Sequence, residues 1–362
     1  MELATLIDSY RESFESKYAL RLLPGHRRAM DAISRCRTPV SGEVLVHCSD
    51  CGRFEKLACS CGHRSCPRCQ NHEASTWLER QRQKLLPVEY FLVTFTLPAE
   101  LRALAWQNQR QVYTALFRAT EKTLSAFGQN PKHLGADIGM TAVLHTHSRR
   151  LIYHPHLHTV VPGGGVNKEL RQWKRTRYQY LFNAFALAKV FRGKLLHELN
   201  EVGLKPPDTL PSKWVVDCRH AGHGESALEY LSRYLYRGVI SAANIIADRN
   251  GLVTFGYTDG QSKQIRTETL PGEDFIWRVI QHVLPRGFQR VRNYGFLHHN
   301  ARKTLHLVQL LLSVTLKPVM PKQRPLCHCS ACGGLMTVIG VIPRNRIRSI
   351  RRATRPPRLR PI

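Results

Sequence analysis

The sequence predicts an α+β fold with a small metal-binding domain attached, and three features support this prediction. Segments typical of strands, such as EYFLVTFTL at 89–97, alternate with segments whose apolar residues recur at helical spacing. Histidines occupy alternate positions in YHPHLHTVVPGGG at 153–165. Most of the 11 cysteines fall in two short clusters. A chain of 362 residues can bury a sizeable core and form two or three domains.

The net charge indicates a polyanionic partner. Lys and Arg number 54 against 26 Asp and Glu, which leaves +28. This excess is far beyond what solubility requires and favours nucleic acid over the competing interpretation, a basic membrane-surface protein. No apolar run approaches the roughly 20 residues of a spanning helix, and the first residues, MELATLIDSYRESF, are too polar for a signal peptide. We therefore expect a cytoplasmic protein associated with the nucleoid.

The first domain is expected over residues 1–86, with two short helices separated at Pro24 and Gly25 and then a zinc site. Two CxxC pairs separated by 14 residues match the usual zinc-ribbon interval. Cytosolic thiols stay reduced, so metal binding is favoured over disulfides. The expected ligands of a structural Zn²⁺ are Cys48, Cys51, Cys66 and Cys69, with Cys61 as an alternative and Cys59, His63 and His72 nearby.

The second domain is expected over residues 87–320. FLVTFTL predicts a central strand that stops at Pro98, residues 99–127 and Arg171–Glu201 predict helices, and KWVVDCRH predicts another strand. Residues 321–362 form a separate C-terminal segment. In it, Cys329-x-x-Cys332 offers half a zinc site that needs ligands from elsewhere. The arginine-rich tail after it has too few apolar residues to fold alone before it meets nucleic acid.

The alternate histidines indicate a metal site on a pair of strands. His154, His156 and His158 would project from one face of a strand. Upstream, LHTH adds His145 and His147, and SRRLI can turn the chain so that the two segments pair in antiparallel fashion. Alternate histidines can also form the polar face of an exposed strand, but three in register favour a metal.

The ligand types near these histidines restrict the metal. No Asp or Glu occurs between Asp137 and Glu169, so imidazole must be the main local ligand. Neutral imidazole suits Mn²⁺ or Zn²⁺, and it can serve Mg²⁺ when a substrate phosphate supplies oxygen.

Two tyrosines are candidate nucleophiles. Tyr230 and Tyr234 lie four residues apart in a predicted helix, so they share a face. Core aromatics are the alternative interpretation. Arg233 and Arg237 place guanidinium groups beside the phenols, where they could bind phosphate or lower a phenol pKa.

A second basic segment, RGFQRVRNYG at 286–295, suits single-stranded nucleic acid because bases stack on rings while arginines meet phosphates. A solvated loop is the alternative interpretation of this segment. Its candidate DNA-binding residues are Arg286, Arg290 and Arg292.

These features together suggest phosphodiester cleavage by transesterification. A tyrosine would attack phosphorus while a divalent ion stabilises charge on the phosphate oxygens. The covalent phosphotyrosine would conserve the bond energy, so a freed 3′-hydroxyl could rejoin DNA without ATP. Consistently, the chain has no Walker A sequence, and a host helicase or other replication factor is a candidate partner.

The sequence resembles the rolling-circle transposases of the IS ninety-one type, which belong to the HUH (His-hydrophobic-His) superfamily of single-strand endonucleases. The resemblance runs from about residue 20 to about residue 320. The motifs that carry it are the cysteine cluster ending in CPRCQ, FTLP at 95–98, LHTH at 144–147, YHPHLHTVVPGGG, YLSRYLYR at 230–237 and HVLPRGFQRVRNYG at 282–295.

The resemblance implies a fold and a set of roles. It implies an antiparallel HUH palm crossed by the tyrosine helix, with His156 and His158 binding a catalytic Mg²⁺ or Mn²⁺. It also implies that Tyr230 and Tyr234 form 5′-phosphotyrosine intermediates at the ends of an insertion sequence. His145 is the expected third ligand, and this choice rests on strand geometry as well as on the resemblance. His147 and His154 are the alternatives.

Two other functions compete with transposition. A replication initiator or a conjugative relaxase would use the same HUH chemistry, but the N-terminal zinc cluster and the motif set favour a transposase. A zinc-containing DNA-binding protein without catalysis is the alternative from a different class, in which the tyrosines would be core residues.

Overall fold

The computed structural model describes residues 1–69, 71–224, 226, 239–260, 262–315 and 326–344, with residues 71–75 described in backbone only. It contains two compact units. The larger unit comprises residues 1–34 and 62–323, and the smaller unit comprises residues 35–61 and 324–362. The boundary expected after residue 86 therefore does not separate the units. Residues 1–34 belong with the histidine strands because their helices pack onto a helix near residue 275.

A five-stranded antiparallel sheet forms the centre of the larger unit, in the order β12-β4-β5-β3-β8. The predicted central strand is confirmed as β3, which lies between two neighbours. The predicted pairing of the two histidine segments is also confirmed, since β4 pairs antiparallel with β5. The strands are β3 (Glu89–Thr96), β4 (Met140–His147), β5 (Tyr153–Pro162), β8 (Val216–His223) and β12 (Val291–Tyr294).

One face of this sheet carries the main hydrophobic core. Helices α4 (Arg102–Gln107), α5 (Gln109–Gln129) and α6 (Ala184–Glu201) supply apolar side chains that pack against it. Leu144 and Leu157 point into this core and are fully buried. Because side chains alternate along a strand, the neighbouring histidines point to the opposite face.

The remaining elements of the larger unit surround this sheet. Tyr18 of α1 stacks on Trp277 of α7 with ring centroids 4.7 Å apart. Strands β9 to β11 form a separate three-stranded sheet, and β6 pairs with β7. The elements are α1 (Leu3–Tyr18), α2 (Pro24–Ser34), α3 (Asn71–Arg82), β6 (Gly164–Asn167), β7 (Gln172–Arg175), β9 (Ile245–Arg249), β10 (Leu252–Thr258), β11 (Ile265–Pro271), α7 (Gly272–Ile280) and α8 (Arg302–Leu311).

The helix predicted over Arg171–Glu201 is wrong in its first third. Residues 172–175 form β7, and the helix begins only at Ala184. Asn183 caps the helix, because its side-chain oxygen accepts a hydrogen bond from the Ala186 N–H at 3.0 Å. The two helices predicted before residue 40 are confirmed as α1 and α2, and Pro24 starts the second.

The smaller unit is a four-stranded antiparallel sheet in the order β13-β14-β1-β2. Its strands come from both ends of the chain, and β1 pairs directly with β14. They are β1 (Glu43–Cys48), β2 (Phe54–Ala58), β13 (Cys327–His328) and β14 (Leu335–Ile342). Its buried apolar cluster is small and consists of Val46, Cys48, Cys329 and Met336.

Candidate active site

Three imidazoles converge on the face of the central sheet opposite the main hydrophobic core. The metal-ligating nitrogens of His145, His156 and His158 all lie within 4.8 Å of one another. The register of β4 and β5 places His145 directly opposite His156, and His158 is two residues further along β5. The Nε2 atoms of His156 and His158 are 3.1 Å apart. The structure therefore brings together the three histidines that the sequence suggested as ligands.

Hydrogen bonds orient His156 and His158, the two members of the trio that lie on β5. The Nδ1–H of His156 donates to the carbonyl oxygen of His154 at 2.7 Å. Because neutral imidazole carries one proton, Nε2 of His156 keeps its lone pair. Nδ1 of His158 lies 3.0 Å from the hydroxyl of Thr94 on β3. Such partners fix the ring orientation that metal binding requires.

Burial keeps these rings neutral at pH 7. Desolvation, followed by the proximity of His158, lowers the pKa of His156 to about 3. Desolvation also lowers the pKa of His158 to about 4, although Asp217 opposes the shift. The pKa of the buried His145 lies well below its usual value for the same main reason. Neutral imidazole is the form that binds metal, so the site is ready to bind a cation.

The two alternative third ligands lie outside the trio. Arg102 donates a hydrogen bond to Nδ1 of His154 at 2.7 Å, which occupies that nitrogen. His147 donates from Nδ1 to the carbonyl oxygen of Ser148 at 3.3 Å and packs its ring on His282 at 5.3 Å. His145 is therefore the better-placed third ligand of the three.

A cavity of about 580 Å³ opens beside the histidine trio, and we call it the metal cavity. Strand β10 contributes Phe255, Gly256, Tyr257 and Thr258 to its wall, and Arg149 and Asn244 also line it. Sequence reasoning missed Tyr257, Arg149 and Asn244 as site residues. No local spacing could have revealed Tyr257, because β10 lies about a hundred residues from the histidines and belongs to another sheet. Arg149, in contrast, lies in the short turn between the two histidine strands.

A second and larger space of about 1050 Å³ shares His147 and Val239 with the metal cavity, and we call it the basic cleft. Among the described residues that line it there is no Asp or Glu, whereas six Lys and Arg side chains do line it. Trp77 and Tyr294 add aromatic surface. The six cations are Arg64, Arg80, Lys84, Arg118, Arg290 and Arg292.

Two predicted DNA-binding arginines, Arg290 and Arg292, line the basic cleft and also make contacts within the fold. Nε of Arg290 donates to the carbonyl oxygen of Leu144 at 3.0 Å, next to His145. Burial and the nearby Arg64 lower the pKa of Arg290 to about 10, so it stays charged at pH 7. The guanidinium of Arg292 lies 4.3 Å from the ring centroid of Phe117. The third, Arg286, is exposed and does not line the cleft.

In the smaller unit, Cys48 and Cys51 meet Cys329 and Cys332. The structure therefore does not bring the expected pairs Cys48/Cys51 and Cys66/Cys69 together, because Cys66 and Cys69 are buried in the larger unit. The expected zinc set stays a prediction. Local spacing could not reveal that Cys329 and Cys332 lie beside Cys48 and Cys51, because the pairing of β1 with β14 crosses nearly the whole chain. Cys61, the alternative ligand, lies outside this group and is half-buried.

Comparison with known sequences identifies the family. Residues 139–304 match a family model described as "Putative transposase", and residues 6–97 match one described as "Transposase zinc-binding domain" of the IS ninety-one type. A protein of Sinorhizobium fredii named "Putative transposase y4qJ" is 37% identical over 83% of this chain and 81% of its own length. The chain belongs to the IS ninety-one family of rolling-circle transposases.

A further relative of this transposase is the "Transposase for insertion sequence element IS801" of Pseudomonas savastanoi pv. phaseolicola. It is 28% identical over 72% of this chain and 68% of its own length. Among solved structures, the conjugative relaxase TrwC in complex with mutant OriT DNA gives a TM-score of 0.27 at 15% identity, covering 62% of this chain and 74% of that chain. A TM-score this low does not establish a common fold.

The family matches cover most of the predicted site residues of the transposase. The zinc-binding match contains Cys48, Cys51, Cys66 and Cys69 but ends well before the C-terminal cysteines. The other match contains the histidine trio. The predicted nucleophiles Tyr230 and Tyr234 and the predicted phosphate ligands Arg233 and Arg237 lie outside the described residues. In the described part of the transposase, no helix combines the length and apolarity needed to cross a bilayer.

Proposed function

We propose that this transposase cleaves and rejoins single-stranded DNA through 5′-phosphotyrosine intermediates, with Tyr230 and Tyr234 as the nucleophiles. The observation that carries the proposal is the trio of neutral histidines at a cavity that adjoins a cation-lined cleft. The IS801 relative is named as the transposase of an insertion sequence. By extension, the ends of such an element are the substrate, and the protein acts in the cytoplasm at the nucleoid.

The donor set at the trio fits a divalent ion. His156 directs a lone pair from Nε2 toward His158, and His145 on β4 lies opposite His156 on β5. Three imidazoles leave coordination positions for phosphate oxygens, as Mg²⁺ and Mn²⁺ require. When bound there, such an ion would withdraw negative charge from the oxygens of the scissile phosphate.

The covalent step balances without a further reactant. The phenol oxygen of one tyrosine attacks phosphorus, a new O–P bond forms and the bond from phosphorus to the 3′ oxygen breaks. The phenol loses its proton and the departing 3′ oxygen gains one, so the products are a 5′-phosphotyrosine and a free 3′-hydroxyl. Attack by a 3′-hydroxyl on that phosphotyrosine reverses the step and joins DNA without ATP.

Two nucleophiles allow two cleavage reactions to occur one after the other. One tyrosine can keep the 5′ end of the cleaved donor strand while the other cleaves the second site. Arg233 and Arg237 would then hold phosphates beside the phenols. A host helicase would supply single strands, since the sequence carries no Walker A motif.

The basic cleft provides a path for the strand beside the scissile phosphate. Its lysine and arginine side chains are opposite in charge to a phosphodiester backbone, and Trp77 and Tyr294 offer surfaces on which bases stack. Arg80 and Arg118 are its exposed cations. They are therefore the side chains most accessible to a bound strand.

The test is to detect the covalent product directly. Purified protein is incubated with Mn²⁺ or Mg²⁺ and a labelled single strand that contains an end of the element, and protein-linked label is resolved on a denaturing gel. We expect a metal-dependent adduct that each single substitution, Tyr230→Phe or Tyr234→Phe, reduces and that the double substitution abolishes. DNA binding without any adduct at every metal and end would instead favour the non-catalytic alternative.

Mapping the modified peptide identifies the nucleophile. Tyr257 is the matched control, because it is the described tyrosine that lines the metal cavity. We expect phosphotyrosine within residues 225–238 and an undiminished adduct with Tyr257→Phe. An adduct on Tyr257 would overturn the assignment of Tyr230 and Tyr234.

A further inference from the structure

The smaller unit contains two CxxC loops with the same local structure. In the first, the Gly52 N–H donates to the Cys48 carbonyl oxygen at 2.9 Å, and the Cys48 N–H donates to the Arg53 carbonyl oxygen at 2.9 Å. The second repeats this pattern at 2.9 and 2.8 Å in Cys329-Ser-Ala-Cys332-Gly333-Gly334. Each loop therefore presents two sulfurs from the same tight turn.

A glycine makes each of these turns possible. Gly52 has φ +73° and Gly333 has φ +75°. An added Cβ would find open space at both positions, so the requirement is for the left-handed backbone and not for room. The two loops lie far apart in the sequence, yet both have a glycine directly after the second cysteine.

The four sulfurs of the two loops have the spacing of a metal site and not that of a disulfide. Sγ of Cys48 lies 3.5 Å from Sγ of Cys332, and Sγ of Cys51 lies 3.6 Å from Sγ of Cys329. A disulfide requires about 2.05 Å. Tetrahedral Zn²⁺ with Zn–S bonds of about 2.3 Å places its sulfurs about 3.8 Å apart. The observed distances are close to that tetrahedral edge.

The folding of this unit also calls for a cross-link. Among the described residues, its buried apolar cluster consists of Val46 and Met336 besides two of the cysteines. So small a core gives little stability to a sheet assembled from the two ends of the chain. A metal bound to thiolates from both ends contributes directly to folding.

We propose that Cys48, Cys51, Cys329 and Cys332 bind one Zn²⁺, which fastens the C-terminal loop to the N-terminal hairpin. The zinc-binding family match ends at residue 97, so it assigns no ligand in the C-terminal loop. The ion fixes β14 beside β1. The two strands are antiparallel neighbours in the sheet of the smaller unit.

The test is the zinc content of the purified full-length protein, measured by mass spectrometry of the metal. Three variants are compared: Cys48→Ser with Cys51→Ser, Cys329→Ser with Cys332→Ser, and all four substitutions together. We expect each double variant to contain one zinc fewer per chain than the wild type. We expect the quadruple variant to contain the same amount of zinc as either double variant. The control is Cys218→Ser, a half-buried cysteine of β8 outside the cysteine groups of the described residues, and it should keep the wild-type content.

A second variant guards against simple misfolding. Cys332→His supplies another zinc ligand at the exposed corner of the site, so it should keep the ion, whereas Cys332→Ala should lose it. Wild-type zinc content in the Cys329→Ser, Cys332→Ser variant would overturn the proposal. The proposal would also be overturned if the quadruple variant lost as much zinc as the two pair variants together, because the two loops would then bind different ions.

Discussion

The hydroxyl of Thr94 lies 3.0 Å from Nδ1 of His158, across the pairing of β3 with β5. A hydroxyl both donates and accepts, so it is compatible with either tautomer of this neutral ring. When Thr94 accepts from the Nδ1–H of His158, Nε2 keeps its lone pair and faces His156 at 3.1 Å. In that tautomer, the hydroxyl holds the His158 ring while Nε2 remains able to bind a metal.

Replacing Thr94 by Val should weaken Mn²⁺ binding about 10- to 100-fold, the usual effect of losing an outer-shell partner of a ligating histidine. Val keeps the shape and the strand preference of Thr but lacks the hydroxyl. Thr94→Ser retains the hydroxyl and is the matched control. Titration calorimetry of the three proteins with Mn²⁺ measures the effect, and equal affinities would show that the hydroxyl does not orient the ring.

Removing a ligand should have a larger effect than removing its partner. We expect His156→Ala to lower Mn²⁺ affinity more than about 100-fold, beyond the range for outer-shell changes. His154→Ala is the control from the same strand, because its Nδ1 is occupied by Arg102. The affinity of that control should stay within a few fold of wild type. Comparable losses in the two variants would exclude His156 from its assigned role.

The histidine trio could be predicted because it depends on local rules. Alternation along a strand puts His156 and His158 on one face, and the short SRRLI turn makes β4 the partner of β5. The side of the sheet follows from the same rule, since Leu144 and Leu157 supply the apolar face.

Other parts of the site depend on long-range packing that local patterns do not encode. Tyr257 reaches the metal cavity because the separate sheet that contains β10 packs beside the histidines. That sheet lies far from the histidines in the sequence, so local patterns do not predict this packing. The partners of Cys48 depend on the pairing of β1 with β14, which joins residues almost 300 positions apart. Loop closure over such a distance leaves no periodic signal in the sequence.

The salt dependence of DNA binding should measure how many phosphates the basic cleft contacts. Arg80 on α3 and Arg118 on α5 both line it and are exposed. For single strands, each phosphate contact contributes about 0.7 to the slope of log K against log salt. Arg80→Gln combined with Arg118→Gln should therefore reduce the magnitude of the slope by about 1.4. Fluorescence anisotropy with a labelled single strand at several salt concentrations measures it.

The matched control for that slope is Arg175→Gln combined with Arg177→Gln, which removes two exposed charges that do not line the cleft. Its slope should stay at the wild-type value. Equal changes in the two double variants would indicate that only net charge matters. The test does not depend on cleavage, so it remains informative if no adduct forms.

Acid should destabilise the larger unit through His26, which is fully buried between Trp106 and Trp277. Burial lowers its pKa from 6.5 to about 4. Between pH 6.5 and 4, His26 is protonated in the unfolded chain but stays neutral in the folded chain. The free energy of unfolding therefore decreases as pH falls from 6.5 to 4. Above 6.5 this histidine has no effect. One such group contributes a slope of about 1.4 kcal/mol per pH unit.

The variant that isolates this contribution is His26→Asn. Its side-chain oxygen can still accept the hydrogen bond that the Leu23 N–H donates to Nδ1 at 3.2 Å. Urea unfolding followed by tryptophan fluorescence at pH 7.5, 6 and 5 should show a smaller acid-dependent loss for the variant. Parallel pH profiles would mean that other buried histidines account for the acid sensitivity.

Tyr257 should contribute to cleavage by binding DNA and not by chemistry. Its ring lines the metal cavity, where a base next to the scissile phosphate can stack on it. Loss of one stacked base typically weakens single-strand binding by about tenfold. At DNA concentrations below saturation, Tyr257→Ala should therefore form adduct about tenfold more slowly, while Tyr257→Phe keeps the ring and the rate. Tyr178→Ala, which removes an exposed ring that lines neither space, should match wild type. A rate lost equally in Tyr257→Phe and Tyr257→Ala would instead assign the function to the hydroxyl.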